Sequence, residues 1–253
     1  MPSESGTIRI AAVADLHYPR TPLGAVQALI ADIAGKADVL CICGDLTDTG
    51  LPDDGRVLAR ELASLKVPTI AVLGNHDHEL GRHEELTQAL VDGGIHVLDG
   101  AEYEVHGVGF AGVKGFAGGF GRRTLGPWGE RAIKDFVQEA LNEALKLETA
   151  LARIRSERRV VLMHYAPIAG TVEGEPLEIY PFLGSSRLEE PLSRYPVDAV
   201  FHGHAHHGAA EGRTAGGTPV FNVSMSLLQR AFPDRPPYRL QEVRVPDEPG
   251  APG

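Results

Sequence analysis

Three apolar strand patterns alternate with three amphipathic helix patterns over residues 7–92. The strand patterns lie at 7–15, 38–45 and 68–75, and the helix patterns lie at 22–35, 53–66 and about 82–92. The strand segments are nearly continuous apolar runs, which is typical of strands buried on both faces of a parallel sheet. This alternation predicts an α/β fold with a parallel sheet and right-handed crossovers.

The pattern changes after residue 92. Three short segments, 94–100, 101–107 and 108–115, are separated by glycines and predict an antiparallel meander. The longest predicted helix spans 129–155. Its expected buried stripe consists of Ile133, Phe136, Val137, Leu141, Leu145, Leu151 and Ile154.

Four further strands are expected at 158–165, 197–204, 218–224 and 237–245, before a frayed tail at about 246–253. There is no internal repeat and no linker composition. We therefore expect one domain, residues 1–253, that contains two sheets.

Composition and charge restrict the classes of partner. The N-terminus lacks the charged start and long apolar stretch of a signal peptide. No segment approaches the ~20 apolar residues that cross a bilayer, so we expect a cytoplasmic protein without a membrane partner. The net charge of −10 disfavours nucleic acid as a partner, because most of the surface would repel it. The sequence leaves the oligomeric state open.

The two cysteines, Cys41 and Cys43, lie two residues apart on the second predicted strand. Their surroundings are apolar and both point to one face. This pattern favours buried, unreactive thiols over a metal site or a redox pair.

Polar residues with oxygen or nitrogen donors follow five of the predicted strands. They are Asp15 and His17 in "ADLH", Asp45 and Asp48 in "GDLTD", Asn75, His76 and Asp77 in "GNHD", His164 in "MHY", and His204 and His206 in "GHAH". The carboxyl ends of parallel strands share one edge, where ligands bind in open α/β sheets. Clustered carboxylates need pairing or a metal ion, so we expect a metal site there.

Two histidines beside the last motif are left outside that site. His202 precedes Gly203 on the strand, and a packed or supporting role is favoured over ligation. His207 is expected at the solvated rim.

The order of these motifs resembles the calcineurin-like metallophosphoesterase superfamily, and in particular its cyclic-nucleotide phosphodiesterase-like branch. The matching motifs run from residue 15 to residue 206. The resemblance implies a four-layer α/β/β/α sandwich of two mixed sheets flanked by helices. It also implies a dinuclear metal centre at one edge of the sandwich.

The resemblance also implies a role for each matching residue. The first metal ion would be held by Asp15, His17, Asp45 and His206. The second would be held by Asp45, Asn75, His164 and His204, with Asp45 bridging both. His76 would be an acid or electrostatic helper beside the substrate, Asp77 would orient His76, and Asp48 would support the ligands from outside.

The chemistry of this ligand set fits hydrolysis of a phosphoester. Two ions ~3.5–4 Å apart lower the pKa of a shared water and neutralise charge on the phosphoryl oxygens. Nitrogen and oxygen ligands without thiolate suit Mn, Fe, Zn or Co. The expected substrate is a small phosphodiester or phosphomonoester, with diesters favoured. The alternatives are a nuclease of the same superfamily and a metal-binding scaffold without turnover.

Two long loops are candidates for contact with the substrate. Residues 114–130 are rich in glycine and carry Arg122, Arg123 and Trp128. They are either a mobile rim that contacts phosphate or a plain connector. Tyr180 and Phe182, in the second loop at 166–187, are either another wall of the site or ordinary packing.

Overall fold

The computed structural model describes residues 6–22 and 24–246. The described strands are β1 (Thr7–Val13), β2 (Val39–Cys43), β3 (Thr69–Val72), β4 (Ile95–Val97), β5 (Ala101–Val105), β6 (Val108–Val113), β7 (Arg158–Met163), β8 (Ala199–His202), β9 (Glu211–Arg213), β10 (Pro219–Asn222) and β11 (Arg239–Arg244). The described α-helices are α1 (Ala25–Ile33), α2 (Pro52–Leu62), α3 (His83–Asp92), α4 (Arg131–Arg153), α5 (Tyr180–Leu183), α6 (Glu189–Arg194) and α7 (Met225–Ala231).

These strands form two mixed sheets. The first has the order β11-β1-β2-β3-β4, in which β1 to β4 are parallel and β11 is antiparallel to β1. The second has the order β5-β6-β7-β8-β10-β9, with a parallel centre between antiparallel edge strands. The predicted alternation of strand and helix over residues 7–92 is therefore confirmed.

The predicted three-stranded meander at 94–115 is wrong. The first of its strands, β4, pairs in parallel with β3, while β5 and β6 form an antiparallel hairpin in the other sheet. The chain changes sheets at the intervening turn. The Leu98 amide donates to Ala71 O in the first sheet (2.8 Å), and the Gly100 amide donates to Gly112 O in the second (2.8 Å).

Apolar side chains fill three layers between four layers of secondary structure. The middle layer lies between the sheets and includes Phe110 and Phe201. Cys41 and Cys43 are buried in it as free thiols, as expected, and burial raises the pKa of both. One outer layer joins helices α1 to α3 to the first sheet, and the other joins α4 to the second. The expected α/β/β/α sandwich is confirmed.

The buried stripe of α4 differs in part from the predicted one. Leu145 is 58% exposed, whereas Ala144 and Leu147 are buried. The buried positions follow three-and-four spacing from Val137, and Leu145 lies one position, about 100° of helical rotation, away from Ala144.

None of the described helices combines the length and apolar character that a membrane span requires. The expected frayed tail falls outside the described residues from 247 onward.

Candidate metal centre

The candidate site lies where the carboxyl ends of the two sheets meet. Asp15, Asp45 and Asn75 follow β1, β2 and β3 of the first sheet, whereas His164 and His204 follow β7 and β8 of the second. Three groups have ligand atoms within 4.8 Å of one another: Asp15, His17 and His206; His17, Asp45 and His76; and Asp45, His164 and His204. Residues that lie far apart in the sequence thus meet at one point.

Several of these residues have a left-handed backbone. The φ angles are 60° at Asp15, 45° at His17, 49° at Asp45 and 69° at His204. This conformation costs about 1 kcal/mol or more in a residue with a Cβ, and such strain clusters at functional sites. The Asp15 amide donates to Gly44 O (3.0 Å) and the His17 amide donates to Asp45 O (2.9 Å), so the ends of β1 and β2 hold each other in this geometry.

Two glycines allow the close approach of the ligand-bearing loops. A Cβ on Gly74 would overlap the Asp45 carboxylate and backbone, and a Cβ on Gly44 would overlap the His164 ring. Gly44 also has a φ of 85°. The "GD" and "GN" dipeptides of the sequence therefore have a steric role beside the carboxylate and the imidazole.

Around His164, lone pairs face one another. Burial lowers the pKa of His164 well below its ordinary value, so its ring is neutral. Its Nδ1–H donates to Cys43 O at 3.0 Å, which leaves a lone pair on Nε2. That atom lies 2.8 Å from Asn75 Oδ1 and 3.4 Å from Asp45 Oδ1. Three electron-pair donors thus converge, an arrangement that a cation stabilises.

His204 belongs to the same group as Asp45 and His164. Its Nε2–H donates to Phe182 O at 3.1 Å, and burial lowers the pKa of the ring. In this tautomer Nδ1 keeps its lone pair. The backbone amide of His204 also lies 3.2 Å from both carboxylate oxygens of Asp15.

On the other side of the centre, His17 has no hydrogen-bond partner for either ring nitrogen among the described residues. Nε2 lies 3.7 Å from Asp45 Oδ2, and Nδ1 lies 3.4 Å from Asp48 Oδ1. Burial lowers the pKa of His17. His206 Nε2 lies 3.3 Å from Asp15 Oδ1. Buried ring nitrogens without partners are costly unless a further group binds them.

The carboxylates oppose one another electrostatically. Burial raises the pKa of Asp45 well above its ordinary value, and the charges of Asp15 and Asp77 raise it further. Burial also acts to raise the pKa of Asp15, but hydrogen bonds with His206 and Ser224 oppose it, and the pKa is lowered. Bound cations reverse such repulsion. The donor set, its orphaned nitrogens and its crowded carboxylates therefore fit a pair of metal ions.

His76 lies at the mouth of this centre. Its Nδ1–H donates to Asp48 O at 2.8 Å, and its side chain is 32% exposed. The ring lies 4.6 Å from the His17 ring, and the His76 amide donates to Asp45 Oδ1 at 2.9 Å. The ring is therefore fixed at one nitrogen and open at the other.

Asp77 does not orient His76, in contrast to the expected role. Its buried carboxylate accepts from the amides of Leu46 (3.1 Å), Thr47 (2.8 Å) and Gly74 (2.9 Å), and from the Thr47 hydroxyl (2.8 Å). It joins the loop after β2 to the loop after β3. Asp77 thereby holds the two loops that carry Asp45 and Asn75.

The two histidines beside the "GHAH" motif, His202 and His207, lie as the sequence suggests. His202 is fully buried; its Nδ1–H donates to Gly203 O (2.8 Å) and its Nε2 accepts from the Thr171 hydroxyl (2.8 Å). His207 is exposed.

The two long loops pack against each other beside the "GHAH" turn. The Phe120 and Tyr180 rings are in edge contact at 6.4 Å and pack against the cluster that contains Ala205. Tyr180 therefore serves packing. Phe182 is 59% exposed, and its carbonyl accepts from His204. Arg122 and Arg123 are exposed on a turn whose Gly121 amide donates to Ser186 Oγ.

Sequence reasoning missed three residues beside the centre. The Tyr165 ring lies 4.4 Å from the His204 ring. Arg20 Nη1 lies 3.6 Å from Asp48 Oδ1, and Arg230 donates to the His206 carbonyl. The position of Arg20, three residues after His17, was a usable signal. Arg230 belongs to no motif and reaches the site only through the fold.

Comparisons with known proteins agree with this geometry. A family model described as calcineurin-like phosphoesterase matches residues 8–208. A search of curated proteins finds no match.

Solved structures share the fold at low sequence identity. The phosphopantetheinyl hydrolase of Mycobacterium tuberculosis is 16% identical with a TM-score of 0.67, and the match covers 96% of this chain and 98% of that one. The protein TT1561 of Thermus thermophilus is 15% identical with a TM-score of 0.57, covering 95% and 100%. A putative 5'-nucleotidase of Staphylococcus aureus is 18% identical with a TM-score of 0.53, covering 85% of this chain but 48% of that one.

Proposed function

The chain belongs to the calcineurin-like phosphoesterase family, and from that premise we propose that it hydrolyses small phosphoesters at a dinuclear metal centre, diesters in preference to monoesters. The observation that carries the proposal is the convergence of three electron-pair donors, His164 Nε2, Asn75 Oδ1 and Asp45 Oδ1.

The proposed ligands form two sets that share Asp45. Asp15, His17, Asp45 and His206 would hold one ion, and Asp45, Asn75, His164 and His204 would hold the other. The donor types suit Mn, Fe, Zn or Co. Bound there, the ions would supply Lewis acidity that activates water and offsets charge on the phosphoryl group.

His76 is the proposed acid. Its Nδ1–H is fixed on Asp48 O, so Nε2 is the atom that delivers a proton to the leaving oxygen. Partial exposure lets the ring exchange protons with solvent between turnovers. The backbone carbonyl of Asp48 therefore sets the direction in which His76 acts.

The preference for diesters rests on the motif order, which resembles the cyclic-nucleotide phosphodiesterase-like branch.

An assay with matched aryl esters tests the proposal. The purified protein is loaded in turn with Mn²⁺, Fe²⁺, Zn²⁺ or Co²⁺ and given bis-p-nitrophenyl phosphate or p-nitrophenyl phosphate. We expect turnover with at least one metal and a higher kcat/KM for the diester. A higher kcat/KM for the monoester would contradict the preference. Absence of turnover with every metal would favour a scaffold.

A further inference from the structure

The two sides of the centre differ in their exposed rim. At the His164 and His204 side, the Phe182 side chain is exposed, and the Tyr165 ring is buried against the His204 ring. At the other side, the His17 and His206 rings lie 5.6 Å apart, and each is flanked by an arginine.

Arg20 stands beside His17. Its amide donates to His17 O at 2.7 Å, which ties the arginine to the loop that carries the histidine. The guanidinium lies 3.6 Å from Asp48 Oδ1, which is an ionic contact too long for a good hydrogen bond. With 74% of the side chain exposed, its N–H donors are open to a ligand.

Arg230 stands beside His206. It extends from α7, and its Nη2 donates to the His206 carbonyl. This bond fixes one edge of an exposed guanidinium against the turn that carries His206 and leaves its other donors free.

Both arginines oppose the prevailing charge of the molecule. The chain has a net charge of −10, and the carboxylates of Asp48 and Glu175 lie on this side of the centre. The guanidinium groups of the two arginines therefore supply positive charge and N–H donors beside residues that flank His17 and at His206. The planar fork of arginine matches the oxygens of a phosphate or a carboxylate.

We propose that the substrate carries a second anionic group, a phosphate or a carboxylate, and that Arg20 and Arg230 bind it. This inference rests on the proposed function, because it places the hydrolysed phosphoester at the centre and the second group at the arginines.

A matched control exists in the same chain. Arg122 and Arg123 are also exposed, and their side chains form no ion pair among the described residues. Their turn contacts Ser186 rather than a candidate ligand. Replacing this pair removes the same charge from the 114–130 loop, away from the Arg20 and Arg230 contacts.

The test is calorimetric binding of rigid phosphonates to the metal-loaded protein. Phenylphosphonate has one anionic group, whereas para-carboxyphenylphosphonate and para-phenylenediphosphonate add a carboxylate or a second phosphonate. We expect at least one of the two to bind about tenfold more tightly than phenylphosphonate, and which one does so identifies the second group.

The variants decide the outcome. Arg20→Ala with Arg230→Ala should abolish the tenfold advantage and change the affinity for phenylphosphonate less than about twofold. Arg122→Ala with Arg123→Ala should keep it. If all three ligands bound equally to the unaltered protein, or if both double variants lost the advantage equally, this inference would be overturned and the proposed function would stand. Failure of every phosphonate to bind would overturn the proposed function and this inference together.

Discussion

The imidazole Nε2 of His164 lies 3.4 Å from the carboxylate Oδ1 of Asp45, although the two residues follow strands of different sheets. The candidate centre thus exists only when the two sheets are packed together. Residues that pin the loops at this junction, including Gly74 and Asp77, should matter as much as the ligands themselves.

The role of His76 can be separated from metal binding. His76→Ala should retain both ions and lower kcat by about 10²–10⁴, because the leaving oxygen loses its proton donor. The loss should be larger for alkyl esters than for p-nitrophenyl esters, whose leaving group is stable without a proton. Steady-state kinetics and elemental analysis check both statements, with His207→Ala as an exposed-histidine control. Loss of metal in His76→Ala would instead make His76 a ligand.

Gly74→Ala should reduce metal content and activity although it replaces no proposed ligand. The new Cβ would overlap the Asp45 carboxylate, so the carboxylate must move out of the junction. Gly216→Ala is the matched control, because its Cβ would meet only Thr214 Oγ1 at 3.8 Å. Metal analysis of both purified variants tests this steric account. Normal metal content in Gly74→Ala would contradict it.

Asp77→Asn should lower the free energy of unfolding by about 3 kcal/mol, since an amide nitrogen would then face N–H donors in a buried site. The carboxylate accepts four hydrogen bonds from Leu46, Thr47 and Gly74. Urea denaturation measures this change. His76→Ala is the control, and its free energy of unfolding should change little. If Asp77→Asn instead kept its stability and lost as much activity as His76→Ala, Asp77 would act directly on His76.

The free energy of unfolding should decrease at acidic pH, because His202 is harder to protonate in the folded protein than in the unfolded chain. Burial lowers the pKa of His202 to about 4, below the value of ~6.5 in an unfolded chain. The unfolded chain therefore binds the proton first, and the contribution is complete above about pH 6.5 and is lost as the pH falls towards 4.

Between pH 7 and pH 5 this loss amounts to about 2 kcal/mol. Urea denaturation of the unaltered protein and His202→Gln at the two pH values isolates it, because the other histidines titrate in both. Identical losses in the two proteins would exclude His202 as the cause.

The sequence predicts which strand ends meet at the candidate centre, and for a physical reason. Asp15, Asp45 and Asn75 follow parallel strands whose carboxyl ends must share an edge. The sequence does not predict which partner a buried carboxylate takes. The family resemblance implies His76 as the partner of Asp77, whereas the carboxylate accepts from Leu46, Thr47 and Gly74. The glycine turn before β5 gives no sign that the chain changes sheets, and Arg230 reaches the centre only through the position of α7.

Anomalous diffraction from crystals soaked in Mn²⁺ tests the central claim most directly. A pair of ions bridged by Asp45 predicts two manganese peaks at the junction of the sheets, with the Asp45 carboxylate between them, and Asp45→Asn crystals should lose at least one peak. Soaked crystals without a peak at that junction would contradict the claim.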